Sequence, residues 1–186
     1  MDLKWHIAFC NVTYTEYAKV SYADYYGSPA VMLETQLAAR EYAEQRFGVG
    51  RFMHPHVDMP SCDFASFLGM SVITPEEDEI PYLDTAHPLL TEFSNVDSIR
   101  IGNPKTDGLM AKRYEAWEYY KAHGHNVGFG GYGGAVINAA CEITGGAILA
   151  GLLEDPEGAE RVLDKIVQTE ETLARFDCSL RGAEYR

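Results

Sequence analysis

The chain has 186 residues, which is a usual length for a single globular domain. Hydrophobic residues make up 46% of the sequence and aromatic residues 12%, so the chain can build a packed core and is not of the disordered class. The formal net charge is -13, and no run of Lys and Arg interrupts it. This charge argues against nucleic acid or an anionic membrane surface as partner, but a local basic pocket for an acidic small molecule is compatible with it.

The cysteines are far apart in the sequence, and none of them forms a CxxC pair. They are Cys10, Cys62, Cys141 and Cys178. This spacing is not typical of a secreted disulfide scaffold. The first ten residues also lack the pattern of a signal peptide, because Lys4 and His6 interrupt a short apolar run. We therefore expect reduced thiols in a cytoplasmic protein.

Taken in chain order, apolar spacing and capping residues predict alternating extended segments and helices. The predicted helices cover residues 14–25, 29–47, 61–68, 87–93, 108–123, 135–153 and 157–176. The extended segments cover residues 5–12, 51–58, 70–73, 98–101 and 126–129. Ser28 and Pro29 mark one helix start, and Asp155 with Pro156 marks another.

Residues 134–153 are mostly apolar and have the length of a membrane span. Asn138 and Glu142 near the middle, together with many Gly and Ala residues, favour a buried helix packed closely against a sheet. We therefore expect no membrane segment here.

Strands that alternate with helices predict parallel βα units and an α/β fold. A complete (β/α)8 barrel needs about 250 residues, and only three or four convincing strands are visible, so the expected fold is a partial barrel. The open edges of a partial barrel must be covered. Either a second chain or a second copy completes the barrel, or the fold is a smaller α/β sheet.

The segment His54-Pro55-His56-Val57-Asp58 carries the sharpest local signal. In an extended segment alternate side chains share a face, so His54, His56 and Asp58 are predicted to project together. Two imidazoles and a carboxylate suit zinc or iron, and Cys62 could join them. In the alternative, the same residues bind substrate or backbone without metal. Asp58 is the predicted catalytic or substrate-orienting carboxylate in either case.

A glycine-rich turn follows the last predicted strand and opens a helix. It contains Gly130, Gly131, Tyr132 and Gly133. Exposed amides at a helix start attract anions, and glycine lets a ligand approach the backbone, so these residues are predicted to bind substrate. The turn lacks a nucleotide fingerprint. A tight connecting turn remains the alternative, and the tyrosines between residues 14 and 26 are expected in the core or an interface.

The stretch GGYGGAVINAACEITGGAILAGLLEDPEGAERVLDKI, residues 130–166, resembles the middle of uroporphyrinogen decarboxylase-like proteins. The shared features are a glycine turn, a small-residue helix, a Gly pair and a helix that starts with Asp-Pro-Glu. Upstream, residues 29–40, Phe47-Gly48 and residues 54–69 also fit. The resemblance covers most of residues 25–176 and corresponds to the N-terminal half of the family domain, which is a single TIM barrel.

The resemblance implies one of the family's two activities, porphyrinogen decarboxylation or methyl transfer that involves a corrinoid. Asp58 falls where the decarboxylases have the aspartate that faces the pyrrole nitrogens. The decarboxylases' N-terminal arginine motif is missing, since no Arg precedes Arg40, and Cys141 falls at the position of their tyrosine. We therefore expect methyl transfer from or to a corrinoid or a small methylated compound, with zinc as a further implied cofactor.

Three alternatives remain open at this stage. The first is a decarboxylase of a tetrapyrrole or a smaller acid. The second is a non-catalytic half-barrel that binds another chain. The third is a metal-dependent hydrolase built on His54 and His56.

Overall fold

The structure, a computed structural model, describes residues 10–76, 78–131 and 136–185. These residues divide into two compact units. The first unit comprises residues 10–58, 75–76, 78–80 and 115–128. The second unit comprises residues 59–74, 81–114, 129–131 and 136–185.

Helices dominate the described residues. They are α1 (Asn11–Ala18), α2 (Tyr22–Gly27), α3 (Pro29–Phe47), α4 (Asp63–Phe67), α5 (Gly108–Ala122), α6 (Val136–Thr144), α7 (Ile148–Glu154) and α8 (Pro156–Leu180). Two 3-10 helices cover Gly50–Phe52 and Phe93–Ser98. Among the residues that the structure describes, one small sheet pairs β1 (Val72–Ile73) with β2 (Tyr82–Leu83), and the strands are antiparallel.

The prediction of a partial α/β barrel is wrong, because the protein is 60% helical and its two short strands form one small antiparallel sheet. Of the strand predicted over residues 70–73, only Val72–Ile73 forms a strand, which is β1. Residues 53–58 and 126–129 belong to no helix or strand, and no strand ladder involves them among the described residues. The residues predicted as the first strand, 5–12, lie mostly outside the described residues.

Side chains from elsewhere in the chain explain why the extended segments form no ladder. The amide of Gln36 binds both the backbone N–H and the backbone C=O of His56. In the last segment, Trp117 Nε1 donates to the C=O of Val127 at 3.2 Å. A backbone group that is satisfied by a side chain has no need of a neighbouring strand. The prediction of strands at these two segments is therefore wrong.

Local capping signals define the two longest helices. The Ser28 hydroxyl accepts from the N–H of Val31 at 3.4 Å, so it caps α3, and Pro29 occupies the first position. The Asp155 carboxylate accepts from the N–H of Gly158 at 3.0 Å and caps α8 in the same way. Both predicted helix starts are confirmed, because these signals depend only on neighbouring residues.

The helix predicted over residues 135–153 is instead two helices, α6 and α7, bent by 99°. Gly145 and Gly146 lie at the break with φ of 61° and 86°, which side chains rarely adopt. Within the described part of the chain, no single helix is long and apolar enough to cross a membrane. The two helices meet the length and composition criterion only as a bent pair.

The core of the second unit is built from α4, α6, α7 and α8 around aliphatic side chains. Along α8, Val162, Ile166 and Leu173 are fully buried and Phe176 is half-buried. Gly151 of α7 packs so closely on Phe93 that a Cβ atom at Gly151 would lie 2.0 Å from the ring. In the first unit α1 and α2 pack on α3, and the buried residues there include several tyrosines.

Candidate functional site

Asp58 lies in the first unit at the end of an extended segment. Burial alternates along this segment, as expected for extended backbone. Met53 and Val57 are buried, whereas His54 is exposed and His56 and Asp58 are half-buried. The predicted grouping of the histidines and the aspartate on one side is consistent with this alternation.

A phenol holds the Asp58 carboxylate. The hydroxyl of Tyr25 donates to Asp58 Oδ2 at 3.0 Å and accepts from Gln36 Nε2 at 2.9 Å. Tyr25 is fully buried and Gln36 is 4% exposed, so this chain of hydrogen bonds runs from the interior of the unit to a half-buried carboxylate. The Tyr25 hydroxyl, an uncharged donor, therefore orients the Asp58 carboxylate.

Gln36 also fixes the backbone on which the site is built. Its Nε2 donates to the C=O of His56 at 3.0 Å, and its Oε1 accepts from the N–H of His56 at 3.0 Å. Together with the bond to Tyr25, these contacts determine the orientation of the amide, since a flipped amide would place donors against donors. Gln36 therefore links α3, Tyr25 and the segment that carries Asp58.

A second tyrosine lies near the same carboxylate. Tyr120 of α5 is fully buried, and its hydroxyl has no hydrogen-bond partner among the residues that the structure describes. Burial, and then the charge of Asp58, raise the pKa of Tyr120. The same two causes raise the pKa of Tyr25. Both phenols therefore remain protonated donors at neutral pH.

We use the name Asp58 cluster for these neighbouring residues of the first unit. Its members are Tyr14, Tyr25, Gln36, His56, Asp58 and Tyr120. Tyr14 belongs to it because its ring lies 6.3 Å from the ring of His56. Asp58 is its only acid, and none of its members is Lys or Arg. The cluster thus presents an anionic acceptor among aromatic rings.

The predicted metal ligands do not form a recognisable metal centre. His54 is exposed and His56 is half-buried. Throughout residues 10–76, 78–131 and 136–185, no group of three or more His, Cys, Asp and Glu side chains is placed to hold a metal ion. The metal site at His54 and His56 remains a prediction.

The predicted substrate-binding turn belongs to the second unit. Gly130 and Gly131 have φ of 66° and 79°, and Tyr132 and Gly133 lie outside the described residues. A Cβ atom at Gly131 would lie 2.7 Å from Nε of Arg113. At least one glycine of the turn is therefore needed to accommodate a buried arginine. Binding of a substrate by this turn remains a prediction.

Arg113 forms a buried ion pair in the second unit with Asp63, which is 6% exposed. Arg113 Nε donates to Asp63 Oδ2 at 2.9 Å, and Nη1 donates to the C=O of Phe129 at 2.9 Å. Asp177 accepts from the N–H of Phe129 at 3.3 Å. These contacts hold the chain that leads into the glycine turn.

Two further ionisable groups in the second unit, Glu142 and Cys62, have pKa values raised by burial and by the charge of Asp63. Burial, and then the charge of Asp63, raise the pKa of the Glu142 carboxyl. Burial raises the pKa of the Cys62 thiol to about 11, and its Sγ lies 3.6 Å from the C=O of Pro81. At neutral pH Cys62 is therefore a buried thiol rather than a reactive thiolate.

The sequence analysis identified Asp58 and His56 but not the residues that hold them. Tyr25 was expected in the core or an interface, and neither Gln36 nor Tyr120 was predicted as a site residue. The one usable sign was the number of tyrosines near the start of the chain, because a buried phenol needs a partner for its hydroxyl. Which partner it finds depends on the tertiary fold.

No family model matches this chain, and neither the curated proteins nor the solved structures include a match to it.

Proposed function

We propose that the Asp58 cluster binds a corrinoid or a small methylated compound and that the chain takes part in methyl transfer. The resemblance over residues 130–166 suggested this activity from sequence, and its barrel fold is not part of the proposal. The observation that carries the proposal is the half-buried Asp58 carboxylate, which accepts a hydrogen bond from the buried hydroxyl of Tyr25.

Charge favours methyl transfer over decarboxylation of a porphyrinogen. A porphyrinogen carries several carboxylates, and a site for it requires cations. The Asp58 cluster contains none, and the chain as a whole carries a net charge of -13. The side chains of a corrinoid are largely neutral amides, and a methylated ammonium compound is a cation. Both types of ligand suit an anionic acceptor flanked by aromatic rings.

Each member of the cluster has a defined task in this proposal. Asp58 accepts hydrogen bonds from N–H groups of the ligand or balances its positive charge. Tyr25 and Gln36 are positioning residues, because they orient the carboxylate and the backbone of His56. A corrinoid would supply the cobalt that carries the methyl group. Whether His54 contributes a zinc ligand is tested separately by metal analysis of His54→Ala.

The test combines a binding titration with an activity assay. Hydroxocobalamin is titrated into the protein and followed by visible absorption. Reduced cobalamin is then supplied with methylated amines, thiols or alcohols, and the formation of methylcobalamin is followed. We expect Asp58→Asn to weaken binding and to abolish methyl transfer. The control is Asp164→Asn, an exposed aspartate of α8 that should leave both unchanged.

Other outcomes distinguish the alternatives. A shift of the Soret band of a bound porphyrin that is lost in Asp58→Asn would favour the decarboxylase. Binding of cobalamin with no methyl transfer would favour a non-catalytic binding subunit. If neither cobalamin nor any methylated compound binds, the proposal is wrong.

A further inference from the structure

A cavity of about 330 Å³ lies in the second unit, away from the residues assigned above. Its apolar surface comes from Phe67, Leu68, Leu89 and Ile99, and Arg100 contributes the only cation. This volume is at the lower end of the roughly 300–1,000 Å³ that is usual for small-molecule sites. The cavity therefore suits a compact ligand.

The wall of the cavity is a hydrogen-bonded loop rather than a loose segment. Asp107 Oδ2 accepts from the N–H of Asn103 at 2.8 Å, and Oδ1 accepts from the hydroxyl of Thr106 at 2.8 Å. The N–H of Leu109 then donates to the hydroxyl of Ser66 at 2.9 Å, which ties the loop to α4. A loop held in this way is preorganised to bind.

Two glycines let this loop approach α4 closely. A Cβ atom at Gly108, where φ is 55°, would lie 2.6 Å from the C=O oxygen of Ser66. At Gly102 it would lie 2.9 Å from the ring of Phe67. The close approach places the polar loop directly beside the apolar floor of the cavity.

The loop differs in charge from the rest of the chain. Residues 99–108 contain Arg100, Lys105 and Asp107, so the loop has one net positive charge in a chain whose net charge is -13. Among the described residues, Arg100 makes one side-chain hydrogen bond, from Nη2 to Asp107 at 3.2 Å. A guanidinium has five N–H donors, so most of its donors remain available to a ligand.

We propose that this cavity binds a small carboxylic acid with a compact apolar body. The carboxylate lies on the guanidinium of Arg100, and the apolar body covers Phe67, Leu89 and Ile99. An arginine matches the two oxygens of a carboxylate, and Arg100 can offer a ligand the donors that it does not give to its ion-pair partner Asp107. The proposal is independent of methyl transfer at the Asp58 cluster.

The test uses benzoate as the probe and its neutral analogue benzamide for comparison, followed by the amide chemical shifts of the full chain. We expect benzoate to shift amides of residues 66–69 and 98–108 in a saturable way. Arg100→Gln should weaken benzoate about tenfold, because a hydrogen bond to a charged group is lost. Benzamide should bind the unaltered protein more weakly than benzoate.

The matched control is Arg161→Gln. Arg161 is an arginine of the same unit that pairs with Asp97 at 2.6 Å and lies outside the cavity. This variant should bind benzoate like the unaltered protein. Equal binding of benzoate by Arg100→Gln, equal binding of benzamide, shifts confined to other residues, or no saturable shift would each overturn the proposal.

Discussion

Two aspartates close together in the sequence lie in different units and are held in opposite ways. Asp58 of the first unit is half-buried and accepts from the uncharged hydroxyl of Tyr25. Asp63 of the second unit is buried and forms an ion pair with Arg113. The first carboxylate is thus held by a phenol, and the second is paired with a buried guanidinium.

This difference separates a candidate site from a structural contact. A charge neutralised by a buried arginine has little left to offer a ligand, and removal of either partner leaves an uncompensated charge. The Asp58 carboxylate is instead held by the uncharged hydroxyl of Tyr25. We therefore assign stability to Asp63, whereas ligand recognition by Asp58 is our proposal.

The largest expected change in the free energy of unfolding comes from breaking the Asp63–Arg113 ion pair. Arg113→Met should lower the free energy of unfolding by about 3–5 kcal/mol, because it leaves Asp63 buried and unpaired. Urea unfolding followed by circular dichroism measures this loss. Arg161→Met, which removes an exposed ion pair, should cost less than about 1 kcal/mol. Equal losses in the two variants would show that the Asp63–Arg113 pair has no special structural role.

Removing the hydroxyl of Tyr25 and removing that of Tyr120 should change the free energy of unfolding by different amounts, and both changes should be smaller than that of Arg113→Met. Tyr25→Phe should cost about 1–3 kcal/mol, because Asp58 and Gln36 both lose a partner. Tyr120→Phe should cost nothing or stabilise slightly, because it removes a buried hydroxyl without a partner among the described residues. Thermal and urea unfolding measure both. A large loss from Tyr120→Phe would mean that its hydroxyl is bonded.

Replacement of Glu142 should change the free energy of unfolding least, and the size of the change should depend on pH. Its folded pKa is raised above the ordinary value of 4.5, so the folded state binds more protons above that pH. Stability is therefore full below about pH 4.5 and falls as the pH rises through the folded pKa. Glu142→Gln should be slightly more stable than the unaltered protein at pH 7 and equal to it at pH 4.

Urea unfolding at the two pH values tests this expectation. Glu160→Gln, which changes an exposed glutamate of α8, is the control and should show no such pH dependence. A Glu142→Gln variant that is less stable at pH 7 would contradict the direction of the pKa shift.

The sequence predicted the helix starts that depend on near neighbours, but it did not predict every local feature. The starts of α3 and α8 were predicted because Ser28 and Asp155 cap the residues that directly follow them. The break between α6 and α7 was missed, although the pair Gly145-Gly146 was a visible signal for it. An apolar run of suitable length outweighed that signal in the prediction.

The sequence was insufficient wherever distant side chains decide the outcome. The extended segments around His56 and Val127 looked like strands of a parallel sheet. Gln36 and Trp117 instead take backbone groups of those segments, so no sheet is required. For the same reason Asp58 could be chosen from its local pattern, but its partner Tyr25 could not. Contacts between distant positions leave no periodic trace in a single sequence.

The most direct test of this comparison is to replace each aspartate by asparagine and to measure the unfolding of the two variants side by side. Asparagine keeps the shape of the side chain and can still accept from Tyr25. We expect Asp58→Asn to unfold like the unaltered protein and Asp63→Asn to lose about 3–5 kcal/mol, because Arg113 stays buried without its counter-charge. Equal losses in the two variants, or a larger loss in Asp58→Asn, would contradict the assignment of Asp58 to ligand recognition and Asp63 to stability.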